Sequence, residues 1–255
     1  MCVLASGSAG NATLVRSGST ALLVDAGISL KDLTRRLMMV GVEVTSLDAL
    51  VLSHEHGDHV RGAIALSRRL KLPVYASPST SRGTGLVPAL GRENVIDFAA
   101  DVPFSIGCLE VAPFSVPHDA EETFGFKVSD GRVRAGLATD LGSLTLDVLQ
   151  GLSGCDAVVL ESNHDEVMLL EGPYPLFLKR RVNGPHGHLS NTDAAELARC
   201  IRHGDMKHLV LAHLSRTNNT PELPVKATRG ALGARGAHIQ VSLGWQDRPG
   251  DMICF

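Results

Sequence analysis

The chain has 255 residues, 44% hydrophobic and 20% charged, a composition that suits one globular domain near the upper size a single core supports. Its formal net charge of -3 excludes a broad basic field, so attraction to a nucleic acid must come from a local patch of Lys and Arg. The five cysteines, Cys2, Cys108, Cys155, Cys200 and Cys254, form no CxxC pair and no dense disulfide framework, and are expected as reduced thiols.

Short β-rich runs open the chain at residues 2–5, 12–16 and 21–25, separated by Ser6, Gly7, Ser8 and Gly10 and then by residues 17–19, which reads as a β-meander. A helix is expected over residues 30–40, with Leu30, Leu33, Leu37 and Met38 on one face and Gly41 as its stop. Residues 49–53 form a continuous apolar strand that leads to His54. Val60, Ile64, Ala65 and Leu70 suggest a helix beginning near Asp58, and residues 72–75 another strand. Further strands are expected near 109–115, 123–128, 134–139, 157–161 and 208–213, with helices near 144–152 and 191–202. No linker or low-complexity segment interrupts this series, so a single domain over residues 1–255 is expected. Strand-rich halves that each carry helices fit an α/β fold, a four-layer αββα sandwich. No signal-like N-terminus and no apolar run of roughly 18 residues is found, so the expected location is cytoplasmic and a membrane partner is not expected.

The segment His54-Glu55-His56-Gly57-Asp58-His59 puts four potential metal ligands within six residues at the end of a buried strand. Imidazole nitrogen and carboxylate oxygen suit Zn²⁺ at about 2.0 to 2.2 Å, and Mn²⁺ or Fe²⁺ accept the same mixed donors. Residues i and i+2 leaving a strand point the same way, so His54 and His56 can share one ion. Asp58 and His59, on a tight turn that Gly57 makes possible, can then face a second. A solvated polar loop is the alternative, but three His and one Asp seldom meet at this spacing without a metal.

HEHGDH resembles the HxHxDH signature of the metallo-β-lactamase superfamily, and three later segments resemble its other ligand motifs in order. By that resemblance His118, in Val116-Pro117-His118-Asp119, completes the first ion's set. Asp140, in Ala138-Thr139-Asp140, bridges the ions, and His213, in Leu211-Ala212-His213-Leu214-Ser215, completes the second set. Singly, each has an ordinary reading as a cap, a turn former or a hydrogen-bonded side chain. The resemblance implies His54, His56 and His118 on one ion, Asp58, His59 and His213 on the other, and Asp140 between them. Two divalent ions about 3.5 to 4 Å apart would activate a bridging water for hydrolysis, with Asp58 counted as catalytic as well as metal-binding.

The superfamily signature does not by itself choose a substrate. The opening run from Leu4 to Asn11, Leu160-Glu161-Ser162-Asn163-His164-Asp165, Gly172-Pro173-Tyr174-Pro175 and Gly187-His188-Leu189-Ser190-Asn191 resemble the YycJ/WalJ-like branch. This similarity runs over nearly the whole chain and implies a nuclease, with 5′-to-3′ DNA exonuclease activity expected. The same region is similar to ribonuclease Z, which by position makes His188 a proton donor and Glu161 its orienting partner. General acid catalysis of this kind is worth about a hundred- to ten-thousand-fold.

His164 is read as a substrate contact or as a group steadying a ligand. Lys179, Arg180 and Arg181 form a short basic run, and Arg216 follows His213 by three residues. Lys179, Arg181 and Arg216 are taken as phosphate contacts, with a solvated helix face as the competing reading. Ser6, Ser8 and Asn11 serve either as donors near the metals or as turn formers. Aromatic residues make up only 4% of the chain, with Trp245 the single tryptophan, so contacts to the nucleic-acid backbone are expected in place of an extended stacking platform. A thioesterase or lactonase on the same scaffold is the alternative function. A purely structural metal module is disfavoured because such a site is closed by four ligands. The oligomeric state is not readable from the sequence.

Overall fold

The opening meander follows its turn spacing: β1 (Cys2–Ala5), β2 (Ala12–Ser17) and β3 (Thr20–Val24) pair antiparallel, and Gly18 at φ +55° turns β2 into β3. In the computed structural model, which describes residues 1–255, β4 (Ala49–Val51), β5 (Val74–Ala76) and β6 (Val95–Asp97) then add in parallel, giving a sheet ordered β1-β2-β3-β4-β5-β6. A second sheet holds β7 (Phe104–Ile106), β8 (Leu109–Ser115), β9 (Phe124–Ser129), β10 (Arg134–Ala138), β11 (Ala157–Glu161), β12 (His208–Ala212) and β13 (Gln240–Leu243) in the order β13-β12-β11-β10-β9-β8-β7. Its β10 to β13 portion is parallel.

The central strands are apolar throughout because both of their faces are covered. In β3, Leu22 and Val24 enter the core between the sheets, while Ala21 and Leu23 enter the core beneath the first sheet's helices. In β12, Val210 and Ala212 face the intersheet core, and Leu209 and Leu211 face the second sheet's helices. This period of two, repeated on both sheets, produces the expected αββα layers. Helices α1 (Leu30–Met39) and α3 (Ala63–Leu70) contribute Leu33, Leu37 and Leu66 to the first outer core. Helices α6 (Leu146–Leu152), α9 (Asn191–Ile201) and α10 (Glu222–Leu232) contribute Val148, Leu197 and Leu232 to the other. Truncating one such leucine to alanine costs about 2 to 5 kcal/mol.

The differences from expectation have local causes. Met38 is 68% exposed, and the polar Arg36 is buried in its stead, donating from Nη1 to Leu4 O at 2.9 Å and to Gln246 O at 3.0 Å. Gly41, at φ +72°, follows the end of α1 as expected. The single helix expected from Asp58 is two, α2 (Gly57–Val60) and α3, broken at Gly62, where an added Cβ would lie 2.3 Å from Ile28 O. Ala63, Leu66 and Ser67 are the buried positions of α3, and Ala65 faces solvent. Four further helices have no counterpart in the sequence reading besides α10: α4 (Pro78–Thr84), α5 (Leu86–Leu90), α7 (Glu166–Glu171) and α8 (Leu176–Val182). The edge strands β6, β7 and β13 were likewise not anticipated. All five cysteines are unpaired, and no helix is long and apolar enough to cross a membrane.

Candidate metal centre

Strands that run in the same direction end at one rim of the sandwich, and the chemistry-bearing residues follow those ends. Asp25 follows β3, His54 to His59 follow β4, His118 follows β8, Asp140 follows β10, Glu161 closes β11 and His213 follows β12. Carboxyl ends of strands are where open α/β sheets leave room for ligands. Asp25, Asp140 and His213 are also three of the five non-glycine residues with a left-handed backbone, at φ +62°, +57° and +55°. Such conformations cost about 1 to 3 kcal/mol each and persist only where the surroundings enforce them.

Backbone hydrogen bonds also tie the neighbouring loops to the ligand turn. Asn11 N donates to Asp58 O at 2.7 Å and Gly27 N donates to Asn11 O at 2.8 Å. A Cβ on Gly27 would lie 1.5 Å from Asp58 O, so only glycine lets the β3–α1 loop close against the ligand turn. Gly57 has no such role. A Cβ there would meet nothing within 4 Å and its φ is not left-handed, so the expected glycine-dependent turn is in fact the first position of α2.

Three histidines are fixed through Nδ1 and so present Nε2 to the centre. His54 Nδ1 lies 2.9 Å from Ser53 Oγ, His59 Nδ1 lies 2.8 Å from Asp25 Oδ2, and His118 Nδ1 lies 3.1 Å from Gly187 O. Asp25 is itself held by Ser53, whose N and Oγ lie 2.9 and 3.0 Å from its two oxygens. A hydroxyl, carboxylate or carbonyl oxygen behind each imidazole orients the ring and fixes its tautomer. Ligand atoms of His54, His56 and His118 converge within 4.8 Å of one another, as do those of His54, His59 and Asp140. Asp140 stands between these groups: Oδ2 lies 2.9 Å from His59 Nε2 and 3.1 Å from His213 Nδ1, and Oδ1 lies 3.7 Å from His118 Nε2. Asp58 Oδ2 is 3.7 Å from His59 Nε2.

This donor set fits divalent ions. His54 Nε2 and His213 Nε2 are buried with no hydrogen-bond partner, a costly state for a polar atom unless a cation takes it up. Burial holds His54 well below the usual histidine range, with the His59 charge adding to the effect, and burial likewise lowers His118. Burial also opposes charge on His59, but Asp140 and Asp25 outweigh it and hold that imidazole well above its usual range. Burial would raise Asp140, yet the neighbouring His213 and His59 keep it far below the usual carboxylate range. Buried carboxylates therefore gather positive charge at this rim, and a metal ion competes with protons for the same atoms.

Beside the centre opens a cavity of about 270 Å³, lined by His56, Asp58, His118, Asp140, Arg181, His188 and His213 among others. A larger apolar cavity, about 440 Å³, lies at the opposite strand ends among Met1, Val15, Val42 and Phe255 and holds none of the clustered histidines. The sequence model of the beta-lactamase superfamily domain matches residues 20–214. The chain belongs to the metallo-β-lactamase superfamily. It is 35% identical to exodeoxyribonuclease YycJ of Bacillus anthracis, over 92% of this chain and 89% of that protein. Exodeoxyribonuclease WalJ of Streptococcus pneumoniae is 32% identical over 87% of this chain and 83% of its own. The metallo-β-lactamase fold protein YhfI from Bacillus subtilis superposes with a TM-score of 0.73, at 18% identity, over 98% of this chain and 97% of its own.

Around this candidate centre the expected site residues divide. His188 lines the cavity with Nδ1 2.8 Å from Glu161 Oε1, and Glu161 Oε2 accepts from Leu141 N at 2.7 Å. Burial opposes charge on His188, but Glu161 outweighs it and raises its pKa to about 9. Arg181 also lines the cavity, its Nε 2.5 Å from Asp119 Oδ2. His164, expected as a substrate contact or as a group steadying a ligand, is 0% exposed and does not line the cavity; Nε2 meets Asn183 Oδ1 at 3.2 Å inside the protein. Lys179 does not line the cavity either; its Nζ donates to Leu170 O at 2.6 Å, at the carboxyl end of α7. Arg216 lines a separate pocket.

Sequence reading missed Asp25 and Asp119. An acidic residue ending an apolar strand was the available signal for Asp25, and adjacency to His118 was the signal for Asp119, whose Oδ1 lies 3.2 Å from His118 Nε2. Asn11 lies beside the ligands, with Nδ2 2.9 Å from His59 Nε2 and 3.3 Å from Asp58 Oδ2.

Proposed function

We propose that the chain is a dinuclear metal-dependent nuclease that removes nucleotides from DNA in the 5′-to-3′ direction. The observation that carries this reading is Asp140, whose two carboxylate oxygens face different groups of inward-pointing imidazoles. The proposed sets are His54, His56 and His118 for one ion, Asp58, His59 and His213 for the other, and Asp140 for both. Zn²⁺ suits these nitrogen and oxygen donors best, and Mn²⁺ and Fe²⁺ fit them too. When bound, two such ions activate water and neutralise charge developing on phosphate oxygens.

The protein's own groups supply the rest. Asp25 and Gly187 O hold His59 and His118 in register. His188, charged by its pairing with Glu161, keeps a proton on Nε2 for the departing oxygen. Arg181 takes a phosphate oxygen at the cavity wall, exchanging part of its contact with Asp119. The similarity to two exodeoxyribonucleases, over most of both chains, supports DNA as the substrate and hydrolysis of its phosphodiester as the reaction.

The test is digestion of 5′-labelled and 3′-labelled DNA and RNA by the purified protein with Zn²⁺ or Mn²⁺, beside Asp58→Ala. Metal-dependent release of 5′ nucleotides from DNA that vanishes in the variant is expected. No cleavage with any metal, together with turnover of thioesters or lactones, would place the protein among small-substrate hydrolases instead.

A further inference from the structure

Arg216 lies just across a lip from the metal cavity. Ser8 and Ser215 line the metal cavity, while their chain neighbours Ala9 and Arg216 line a second pocket of about 280 Å³. Asp58 and Arg61 divide in the same way across the turn of α2. The second pocket is built as well as charged. Its wall includes the buried Arg36, whose Nη1 donates to Leu4 O and Gln246 O and whose Nε has no hydrogen-bond partner. Gln246 ties the lip down, accepting from Ala9 N at 2.8 Å and donating to Gly10 O at 3.0 Å. Arg61 Nη1 donates to Ala9 O at 3.1 Å, and the exposed Arg216 makes no ion pair.

Three guanidinium groups here face two carboxylates, Asp32 and Asp247, and Asp32 is already engaged by Arg35 at 3.1 Å and by Ser29 at 2.8 Å. The pocket is therefore a net cationic concavity, chemistry that attracts an oxyanion. Because chain neighbours line the two pockets, both open on the same lip, and a polynucleotide strand with one phosphate at the metals can run on toward the second pocket.

We propose that Arg36, Arg61 and Arg216 form a second phosphate subsite, which holds the uncleaved backbone next to the nucleotide at the metal centre. This rests on the nuclease reading and extends it: the enzyme would favour polynucleotides over isolated phosphodiesters because only the former span both pockets.

The test measures how the affinity of the metal-loaded protein for a hydrolysis-resistant phosphorothioate duplex depends on salt. Arg216→Gln removes a side chain with no internal partner, Arg61→Gln is the second variant, and Arg132→Gln, in the β9–β10 turn at the far strand ends, is the control. Each of the first two should reduce the slope of log affinity against log salt by about 0.9, and the control should not. Hydrolysis of bis(p-nitrophenyl) phosphate and of DNA by the wild-type protein tests the nuclease reading separately. Wild-type cleavage with unchanged slopes in both variants, or an equal drop in the control, overturns the subsite and leaves the nuclease reading standing. A wild-type protein that neither binds nor cleaves DNA overturns both.

Discussion

His188 Nδ1 lies 2.8 Å from Glu161 Oε1, and Glu161 spends its other oxygen on the backbone N–H groups of Leu141 and Leu189, at 2.7 and 3.3 Å. The carboxylate is thus held in place by the main chain and in turn holds the imidazole. Burial works against the imidazolium, but Glu161 prevails and raises its pKa to about 9. In the proposed reaction the protonated form acts, so kcat/KM falls as pH rises past about 9. Glu161→Gln should move that limb down toward the ordinary histidine value near 6.5, and His188→Ala should cost about a hundred- to ten-thousand-fold. Because the folded pKa is the higher one, the pair's stabilisation is complete below about pH 6.5 and is lost as pH rises through about 9. A pH–rate profile whose alkaline limb stays in place in Glu161→Gln contradicts the pairing.

Asp25 does not line the metal cavity, yet its Oδ2 lies 2.8 Å from His59 Nδ1 and sets that ring's tautomer. Replacing it by Asn leaves a similar shape without the charge. Metal affinity should fall about ten- to a hundred-fold, read by chelator competition, because an orienting partner behind a ligand is worth that much. Equal affinity in Asp25→Asn and wild type would remove Asp25 from the account.

Two glycines beside the ligands should respond in opposite ways. Gly27→Ala puts a Cβ against the Asp58 carbonyl and should destabilise by at least about 1 to 3 kcal/mol, with loss of metal binding. Gly57→Ala meets open space at a helix start and should be neutral or stabilising by up to about 1 kcal/mol. Thermal unfolding of both variants decides; similar losses would mean that the ligand turn depends on Gly57 after all.

Arg181 and Lys179 sit two residues apart on α8, but only Arg181 lines the metal cavity. With bis(p-nitrophenyl) phosphate as substrate, Arg181→Gln should raise KM about ten- to a hundred-fold, the worth of a hydrogen bond to a charged group. Lys179→Gln should change KM less than about twofold. Equal effects would mean that the basic run acts as a diffuse field.

Sequence spacing made the buried half of the fold readable, because strands such as β8 and β11 and helices such as α9 carry continuous or periodic apolar residues. It failed where burial did not impose a pattern. Helix α8 has no buried residue, β6 and β7 are three residues long, and α10 carries Pro224 and Gly230. The ligand motif was legible because its residues are contiguous. Asp25 was not, since its role exists only where β3 and β4 lie side by side. Lys179 and Arg216 look alike as sequence and differ in space: one is drawn to a helix end, and the other lies across the Ser8 and Ser215 lip.

The most direct test of the dinuclear centre is the metal content of the purified protein, measured by mass spectrometry of the elements after dialysis against Zn²⁺ or Mn²⁺, for the wild type and Asp140→Asn. Two ions per chain in the wild type, falling to one or none in the variant together with loss of hydrolysis, is the predicted result. A wild-type protein that is fully active with one ion per chain, or an Asp140→Asn variant that keeps both, would contradict it.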